Sequence, residues 1–596
     1  MSKNKITEIG EIDSISGNNI SVKLFDNIKS NMPIIDGIVY RVGQIGSFVR
    51  VPLGYANLYG IVTQIGAGAI PENLKEVYYK DYDSFKNTSW INIVLAGEQV
   101  GQRFERGVTQ YPSTGDKVHL VTINDLDIIY GGYEDANSII VGNISVSESL
   151  DAKIDIDKLI SRHCAIVGST GSGKSNSVSV LLEAIAKRNF PSSRILVIDP
   201  HGEYNDSLSK YSRVIETSPK EEMNKLYIPF WALPFNELMT IFSGNLTDQN
   251  REYIREKVVE AKIKSAEENK LEVLKESITA DSPIPFSIKR LWFELDDFER
   301  KTFQADRVNV SVRLVDGNID ALKSNEYPPA GLGNSAPFLN QKAKGLLSFL
   351  DSMRNKLNDT SYSFLFSPGK LTPDSNGKFD DDSKDIDSLL FDWLGNSLPI
   401  TILDLSGIPS EIMSSISGTL LKIIYEGLFW GVNTKVGGKN QPLLIVLEEA
   451  HSYLKAGENS ISSRTVQMIA KEGRKYGVGL LLVTQRPSEL DETVLSQCGT
   501  IIALRMNNSK DRGHIRSAVQ DELQSMVDLL PSLRTGEALI SGEAVKIPSR
   551  VKFFKITNAP KSSDPKASEK WLEKIEEKEN EYKKLLKSWR NKNYKL

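Results

Sequence analysis

Hydrophobic and polar residues alternate in short segments from the start of the chain to about residue 145. Glycine, proline and asparagine separate these segments, among them IGSFVRVPLG, YGIVTQIG, INIVLAG and GDKVHLVTI. A period of two, interrupted by turn-forming residues, is typical of half-buried β-strands. Residues 1–147 are therefore predicted to form a small β-barrel or sandwich.

The pattern changes after Ser161 to a buried strand, a glycine-rich turn, a helix and a second strand, in the segments HCAIVGS, TGSGKS, NSVSVLLEAIAKR and RILVIDP. Such a βαβ unit belongs to a parallel sheet. Unbroken apolar runs return at PITILDL, PLLIVLEEA and GLLLVTQRP. Because strands buried on both faces have this pattern, residues 148–227 and 395–560 are predicted to form one α/β core.

Two further segments have helical patterns. Residues 228–394 are largely charged and helical in spacing, which predicts a helical subdomain inserted into the core. Residues 561–596 are predicted to form an amphipathic helix, with apolar side chains at Leu572, Ile575, Tyr582, Leu586 and Trp589. Its eleven basic and seven acidic residues would allow contact with nucleic acid, but packing against a neighbour is the preferred interpretation.

Composition excludes several classes of protein. The chain has 596 residues, 40% hydrophobic and 25% charged, which is ordinary for a globular protein of several structural units. Neither a membrane-spanning run nor a leader sequence is recognisable, so cytoplasmic residence is expected. Cys164 and Cys498 are too few for a disulfide framework or a zinc site and are interpreted as buried apolar residues. The net charge of -4 leaves a local basic pore possible.

The most specific motif is GSTGSGKS, which matches GxxxxGK[ST] between a buried strand and a helix. Its glycines let successive backbone N–H groups point at phosphate oxygens, and the N-terminus of the following helix favours an anion. We expect Lys174 to bridge the β- and γ-phosphates and the Ser175 hydroxyl to bind Mg²⁺. The predicted ATP-binding residues here are Gly168, Ser169, Thr170, Gly171, Ser172, Gly173, Lys174, Ser175 and Asn176.

Other NTPase signatures are absent from the sequence. There is no NKxD for guanine, no LSGGQ of a transporter ATPase and no HRD with DFG of a kinase. Only one GxxxxGK[ST] occurs, so an arginine acting in trans would come from another copy of the chain.

A pair of acids follows the apolar strand in LLIVLEEAH. In a parallel sheet this position places carboxylates beside the phosphate loop. Glu448 is predicted to hold magnesium through water and Glu449 to polarise the attacking water, although two acids can also simply terminate a strand. His451 is given a structural or coupling role.

Three more strand-associated positions are candidates. Asp199 and Glu203, in VIDPHGEY, follow the strand after the phosphate-loop helix, and one of them is predicted to support magnesium or the water, with turn capping by Asp199 as the alternative. His201 between them is interpreted as structural. Gln485, in LVTQRP, is predicted to sense the γ-phosphate. Arg474 is the candidate arginine finger, although Lys471 and Lys475 beside it also fit a plain surface cluster.

These motifs together resemble the HerA family of bipolar DNA translocases, relatives of the FtsK motors. The stretches that carry the resemblance are FERGVTQYP, RHCAIVGSTGSGKS, VIDPHGEY, LEEAH, EGRKYGVG, TQRP and LRTGEALISGEAVKIPSRVKF. The resemblance implies an N-terminal barrel of the HAS type, a RecA-like P-loop core, an inserted helical bundle, and a homo-hexameric ring with double-stranded DNA threaded through it.

By the same resemblance Glu449 is the catalytic base, Arg474 is the finger, and Arg162 reaches a nucleotide, as does the segment at Ile547 and Pro548. It also implies a separate effector docked on the barrel side of the ring, either a nuclease or a sirtuin-like NAD-cleaving enzyme, in DNA-end processing or anti-phage defence. An ATP-driven DNA motor is the first hypothesis. A nucleotide-regulated ring scaffold that activates an effector without obligatory translocation is the alternative.

Overall fold

A closed β-barrel precedes a large mixed sheet, and a mainly helical insertion separates two neighbouring strands of that sheet. The computed structural model describes residues 7–25, 34–35, 38–39, 42–67, 89–131, 137–145, 147–242, 246–332, 335–375, 377–379, 384–455, 457, 460–519, 524–560, 567–573, 575–576 and 578–590. The architecture confirms the predicted α/β fold class with an N-terminal barrel.

The barrel is built by antiparallel pairing in the order β2-β1-β9-β5-β6-β7-β8, and a further pairing of β2 with β7 closes it. Alternate apolar residues such as Val22, Val51 and Ile91 fill its interior, where they are fully buried. A short helix, α1, follows the barrel, and β3 pairs with β4 in a separate hairpin. The elements are β1 Glu8–Ser16, β2 Asn19–Leu24, β3 Ile34–Ile35, β4 Ile38–Val39, β5 Phe48–Pro52, β6 Asn57–Ala67, β7 Ser89–Val100, β8 Arg103–Arg106, β9 Lys117–Leu120 and α1 Ile123–Tyr130.

The first half of the core supplies the phosphate-loop strand and helix. Its central strands β12 and β13 are buried at every residue, and Cys164 at the start of β12 is a buried, free thiol. The elements are β10 Ser138–Ile144, β11 Ser147–Asp155, α2 Ile156–Ser161, β12 Cys164–Val167, α3 Lys174–Lys187, β13 Arg194–Asp199 and β14 Ser212–Glu216.

The insertion follows β14, and its described residues form helices and a two-residue antiparallel pairing of β15 with β16. Its largest helix, α5, contains the buried Lys262, whose Nζ donates to the carbonyls of Trp231, Ala280 and Ser282 at 3.3, 2.8 and 2.6 Å. The elements are α4 Phe235–Phe242, α5 Asp248–Glu268, α6 Ile288–Arg300, β15 Thr302–Phe303, β16 Phe338–Leu339, α7 Leu347–Asn358, α8 Ser363–Phe366 and α9 Ile386–Leu394.

The chain then returns to the sheet. The elements are β17 Ile400–Asp404, α10 Met413–Trp430, β18 Leu443–Leu447, α11 Ile461–Glu472, β19 Val478–Thr484, α12 Glu492–Ser496, β20 Thr500–Leu504, α13 Ser509–Ala518, α14 Gln524–Val527, β21 Glu537–Gly542 and β22 Ser549–Phe553. Two exposed helices, α15 Ala567–Lys570 and α16 Lys578–Arg590, lie in the segment expected to be one amphipathic helix. Residues 561–566, 574, 577 and 591–596 of that segment are outside the described ranges. No helix in the described ranges is both long and apolar enough to cross a membrane.

Strand order in the eleven-stranded sheet is β11-β10-β22-β21-β20-β12-β19-β18-β13-β17-β14. The strands from β20 to β14 are parallel. Their last residues therefore meet at one edge, here called the carboxyl edge, and their first residues meet at the opposite amino edge. Because β10 pairs with β22, Ser138–Ile144 belong to this sheet and not to the barrel, where the sequence pattern had placed them.

Candidate nucleotide-binding site

The phosphate loop links Val167, the last residue of β12, to Lys174, the first residue of α3. Gly171 and Gly173 have φ of 70° and 102°, in the left-handed region that favours glycine. A Cβ atom at Gly173 would lie 3.0 Å from the backbone nitrogen of Gly536. The glycine spacing is therefore required both by the curl of the loop and by the close approach of the neighbouring backbone.

Contacts with the ends of two strands hold this loop in place. Ser169 donates its backbone N–H and its hydroxyl to the Arg505 carbonyl, at 3.0 and 2.9 Å, and Gly536 N donates to the Ser172 carbonyl at 2.8 Å. The buried Lys174 side chain folds back over the loop, with Nζ 3.4 Å from the Ser169 carbonyl. The loop is thus held in a fixed conformation, and the ammonium group of Lys174 lies over it.

The two acids after β18 occupy opposite environments. Glu448 is buried and accepts a hydrogen bond from the Tyr204 hydroxyl, and burial raises its pKa well above the ordinary value. Burial also acts to raise the pKa of Glu449. However, the pKa of Glu449 is lowered overall by a hydrogen bond from His451 and by the positive charges of His451, Lys174 and His201. Glu449 is therefore the carboxylate of the pair that stays ionised.

Backbone geometry and neighbours aim Glu449 at the loop side of the sheet. Its φ is 47°, uncommon for a residue with a side chain. Its Oε2 lies 3.1 Å from Nδ1 of His451, which is itself 3.1 Å from the hydroxyl of Thr484 at the end of β19. His451 thus links Glu449 to the strand next to the phosphate loop.

The sequence left two roles open for Asp199 and Glu203, namely capping the turn and supporting magnesium or water, and the two residues lie in different environments. Asp199 is fully buried and accepts backbone N–H groups of His201, Gly202 and Tyr204, so it caps the turn. Burial raises its pKa to about 6, although these hydrogen bonds act in the opposite direction. The turn places Glu203 beside the loop, where its Oε2 accepts the Ser175 hydroxyl at 2.7 Å.

Gln485 follows β19 and meets the loop directly, because its Oε1 accepts the Thr170 hydroxyl at 2.7 Å. Asn176, in the first turn of α3, donates to the Phe554 carbonyl at 2.8 Å and accepts from Ile556 N at 3.1 Å. The carboxyl edge therefore gathers the loop, Glu203, Glu449 and Gln485 into one site.

The donor set fits a magnesium triphosphate. Lys174 and the loop N–H groups supply positive charge and donors for phosphate, while Ser175 and Glu203 supply oxygens for a hard cation. Within the described ranges no group of three or more His, Cys, Asp or Glu side chains is arranged to hold a metal alone. A magnesium ion bound with a nucleotide takes few protein ligands and completes its shell with phosphate and water.

Four predicted nucleotide-site residues lie at the amino edge instead. Arg162 precedes β12, Arg474 precedes β19, and Ile547 and Pro548 precede β22. The four residues of β12 separate Arg162 from the loop by roughly 13 Å at about 3.3 Å per residue. Arg162 pairs with Glu543 (Nε–Oε2 3.3 Å), and Arg474 is exposed. Within one subunit these residues are not positioned to reach its own phosphate loop.

Comparison with known proteins assigns the chain to a family. The model for the HerA helicase central domain matches residues 139–424, and the model for the HerA-like helicase C-terminal domain matches residues 412–583. The chain belongs to the HerA family. It is accordingly an ATP-hydrolysing, helicase-like enzyme, as the sequence predicts.

Curated HerA relatives resemble the chain over most of its length. The DNA double-strand break repair helicase HerA of Sulfolobus acidocaldarius is 28% identical over 471 residues, covering 78% of each chain. The protein of the same description from Pyrococcus furiosus is 24% identical over 477 residues, covering 74% of this chain and 73% of the relative.

Solved structures with a likeness to this chain include VirB4 of Thermoanaerobacter pseudethanolicus. It has a TM-score of 0.45 and 16% identity, covering 72% of this chain and 99% of that one. The plasmid coupling protein TrwB with a non-hydrolysable ATP analogue has a TM-score of 0.39 and 15% identity, covering 73% and 92%.

Sequence reasoning assigned no role to three residues that make structural contacts in this HerA-family protein. Tyr204 binds Glu448, and Arg505 places its guanidinium 3.5 Å from the Gly171 carbonyl. Arg106, in the FERG stretch of the barrel, donates to the carbonyls of Lys546 and Val545 at 2.8 and 2.7 Å and also to that of Gly542. Only the FERG motif itself marked Arg106 as noteworthy, and it did not indicate a contact with the core.

Proposed function

We propose that this protein is a homo-hexameric, ATP-driven translocase on double-stranded DNA that works in the cytoplasm with a separate effector. The observation that carries the proposal is the division of the site between two edges of the sheet. The loop and acids lie at the carboxyl edge, and Arg162 and Arg474 lie at the amino edge. A ring completes such a site, because the carboxyl edge of one subunit then faces the amino edge of the next.

Hydrolysis in this proposal depends on charges held in fixed places. The loop N–H groups and Lys174 bind the β- and γ-phosphates, and Gln485 donates to the γ-phosphate. Ser175 and Glu203 hold Mg²⁺, which when bound neutralises charge on the triphosphate. Glu448, expected from sequence to hold the metal, is buried with its carboxylate on the Tyr204 hydroxyl, whereas Glu203 contacts Ser175, so Glu203 is the better-placed carboxylate.

Glu449 is assigned as the base that orients water and accepts its proton. Its lowered pKa keeps it ionised, and His451 fixes its direction through the contact at 3.1 Å. A neighbour's Arg474 would stabilise charge on the transferred phosphoryl group, with Arg162 and the Ile547–Pro548 turn beside it. A trans arginine contributes on the order of 10³- to 10⁵-fold in rate, so hydrolysis would depend on assembly.

The relatives' description as DNA double-strand break repair helicases supports duplex DNA as the substrate. We expect duplex DNA to stimulate ATP hydrolysis, and Lys174→Ala and Glu449→Gln to lower turnover at least 100-fold, on the order of a lost catalytic group. Lys264→Ala in the insertion and Glu492→Gln, both at exposed positions away from the loop, are the matched controls. A steady-state rate that is equal with and without duplex DNA would remove the motor proposal.

The barrel contacts of Arg106 favour a second candidate, a ring scaffold that signals its nucleotide state to an effector docked on the barrel. The proposed effector is a nuclease or a sirtuin-like NAD-cleaving enzyme, in DNA-end processing or anti-phage defence. The test is effector activity in a complex that carries Glu449→Gln. Full activity without hydrolysis would favour the scaffold, and lost activity would favour the motor.

A further inference from the structure

The contacts of the phosphate loop give the bound triphosphate a direction. Its γ end faces β19 and β18, where Gln485 meets Thr170 and Glu449 follows Leu447. Strand order places β20, β21 and β22 on the other side of β12. The nucleoside of a nucleotide held by this loop must therefore leave past the first turn of α3, toward the segment that follows β22.

The chain after β22 is fixed to that first turn by its backbone. Asn176 donates to the Phe554 carbonyl at 2.8 Å and accepts from Ile556 N at 3.1 Å. The two phenylalanines at the end of the strand differ sharply. Phe553 is 3% exposed, whereas Phe554 is 43% exposed. A large aromatic ring is thus held open to solvent beside the helix that begins at the phosphate loop.

A cavity of about 670 Å³ runs along α3 from this ring. Val180 and Ala184 of the helix and Ile140 of β10 give it apolar walls, and Phe554, Lys555 and Thr557 form one side. Its volume lies in the usual range for small-molecule sites, roughly 300–1,000 Å³. Lys153, Glu183, Lys187 and Arg188 supply its charged lining, and Lys187 pairs with Glu183 at 3.0 Å.

We infer that this cavity receives the nucleoside of the bound nucleotide and that the base stacks on the Phe554 ring. Stacking suits this position because every base has a π face and Phe554 presents an exposed one. The backbone bonds with Asn176 hold the ring in register with the loop whatever the side chain at 554. Phe554 is then a binding residue for the base and takes no part in cleavage.

The experiment measures equilibrium binding of two ligands to the full chain by calorimetry. ADP has a base and inorganic triphosphate has none. For Phe554→Ala we expect the Kd of ADP to rise about 10-fold, from the usual contribution of a base–aromatic stack, and the Kd of triphosphate to stay unchanged. Phe554→Trp should restore ADP binding. Phe190→Ala, which removes another exposed phenylalanine beyond the end of α3, is the matched control and should change neither Kd.

An unchanged Kd of ADP in Phe554→Ala would overturn the inference. An equal loss of ADP and triphosphate binding would also overturn it, because the ring would then support only the shape of the loop. The inference rests on nucleotide binding and on no step involving DNA. Missing DNA stimulation would therefore remove the proposed motor and leave this site intact, whereas a wild-type protein that binds neither ligand would overturn both.

Discussion

Glu448 and Glu449 are adjacent residues of the same type with different chemistry. Glu448 is enclosed at the end of β18 with its oxygen on Tyr204, so burial favours its neutral form. Glu449 turns out of the strand in a left-handed conformation that costs on the order of 1 kcal/mol or more. That turn brings its carboxylate to His451 and toward Lys174, which keep it charged. In the proposed mechanism this difference makes Glu449 the carboxylate that accepts a proton.

Lys262 shows the same conflict between burial and charge away from the site. Burial lowers its pKa to about 7, from 10.5. Between these two values the unfolded chain binds more protons than the folded one, so stability should increase with pH across this window. Below about pH 7 the folded state carries the full cost of the buried charge.

We therefore expect the thermal stability of the wild type, relative to Lys262→Met, to increase from pH 7 to pH 9, with a maximum slope of about 1.4 kcal/mol per pH unit. Melting curves recorded in matched buffers measure this difference. Lys264→Met, two residues along the same helix at a half-exposed position, should follow the wild type at each pH. A pH-independent difference between wild type and Lys262→Met would contradict the expectation.

Some site residues could be predicted from the sequence and others could not, because they are positioned in different ways. Lys174, Ser175, Glu449 and Gln485 all follow the ends of parallel strands, and the rule that such ends share an edge places them together. The pairing of Ser175 with Glu203 depends on the turn capped by Asp199, which is tertiary geometry. The sequence therefore identified the candidates and left their partners open.

At the scale of elements, the turn between β21 and β22 joins the barrel to the core. Arg106 of β8 donates to three of its carbonyls, and Lys546 of the turn donates to the Gly131 carbonyl. Glu543 of the same turn pairs with Arg162. One turn therefore contacts the proposed docking domain and an arginine proposed to act on a neighbour's nucleotide.

Removing the hydrogen bonds of Arg106 should weaken the junction between the barrel and the core. Arg106→Ala removes the donors for three carbonyls, and charge-assisted hydrogen bonds suggest a cost of about 2 kcal/mol. Arg106→Lys should remain destabilised, because one ammonium cannot reproduce the planar fork of donors. Thermal melts give the measurement, and Arg103→Ala on the same strand is the control. If Arg106→Ala melted at the same temperature as the wild type, the junction would not depend on the hydrogen bonds of Arg106.

The core strands could be predicted from sequence because burial on both faces requires continuous apolar residues. This pattern is seen on β12, β13, β17, β18 and β19. Sequence patterns failed at β10, whose alternating pattern is compatible with either a barrel or a sheet edge. Its pairing with β22, more than four hundred residues later, decides between them. Local periodicity contains no information about a partner that distant.

At the scale of the whole molecule, the two groups of residues in the proposed site lie at opposite edges of one sheet. The carboxyl edge has the phosphate loop and Glu449, and the amino edge has the exposed Arg474 and the Arg162–Glu543 pair. An isolated subunit therefore brings no arginine from this edge to its own loop. A closed ring supplies one complete interface per subunit, since every interface repeats the same two faces.

Mixed rings test this arrangement directly. Arg474→Ala and Glu449→Gln subunits should each be inactive alone, because one lacks the amino-edge group and the other the carboxyl-edge group. In rings co-expressed at equal amounts, roughly a quarter of interfaces join an intact carboxyl edge to an intact amino edge, so ATP hydrolysis should return to about that fraction of the wild type. Lys174→Ala mixed with Glu449→Gln is the control. Both changes then affect the same edge, no interface is repaired, and hydrolysis should stay absent. A two-tag purification verifies that mixed rings have formed. Equal recovery of ATP hydrolysis in the two mixtures would mean that Arg474 does not act across the interface. No recovery in either mixture of verified mixed rings would mean the same.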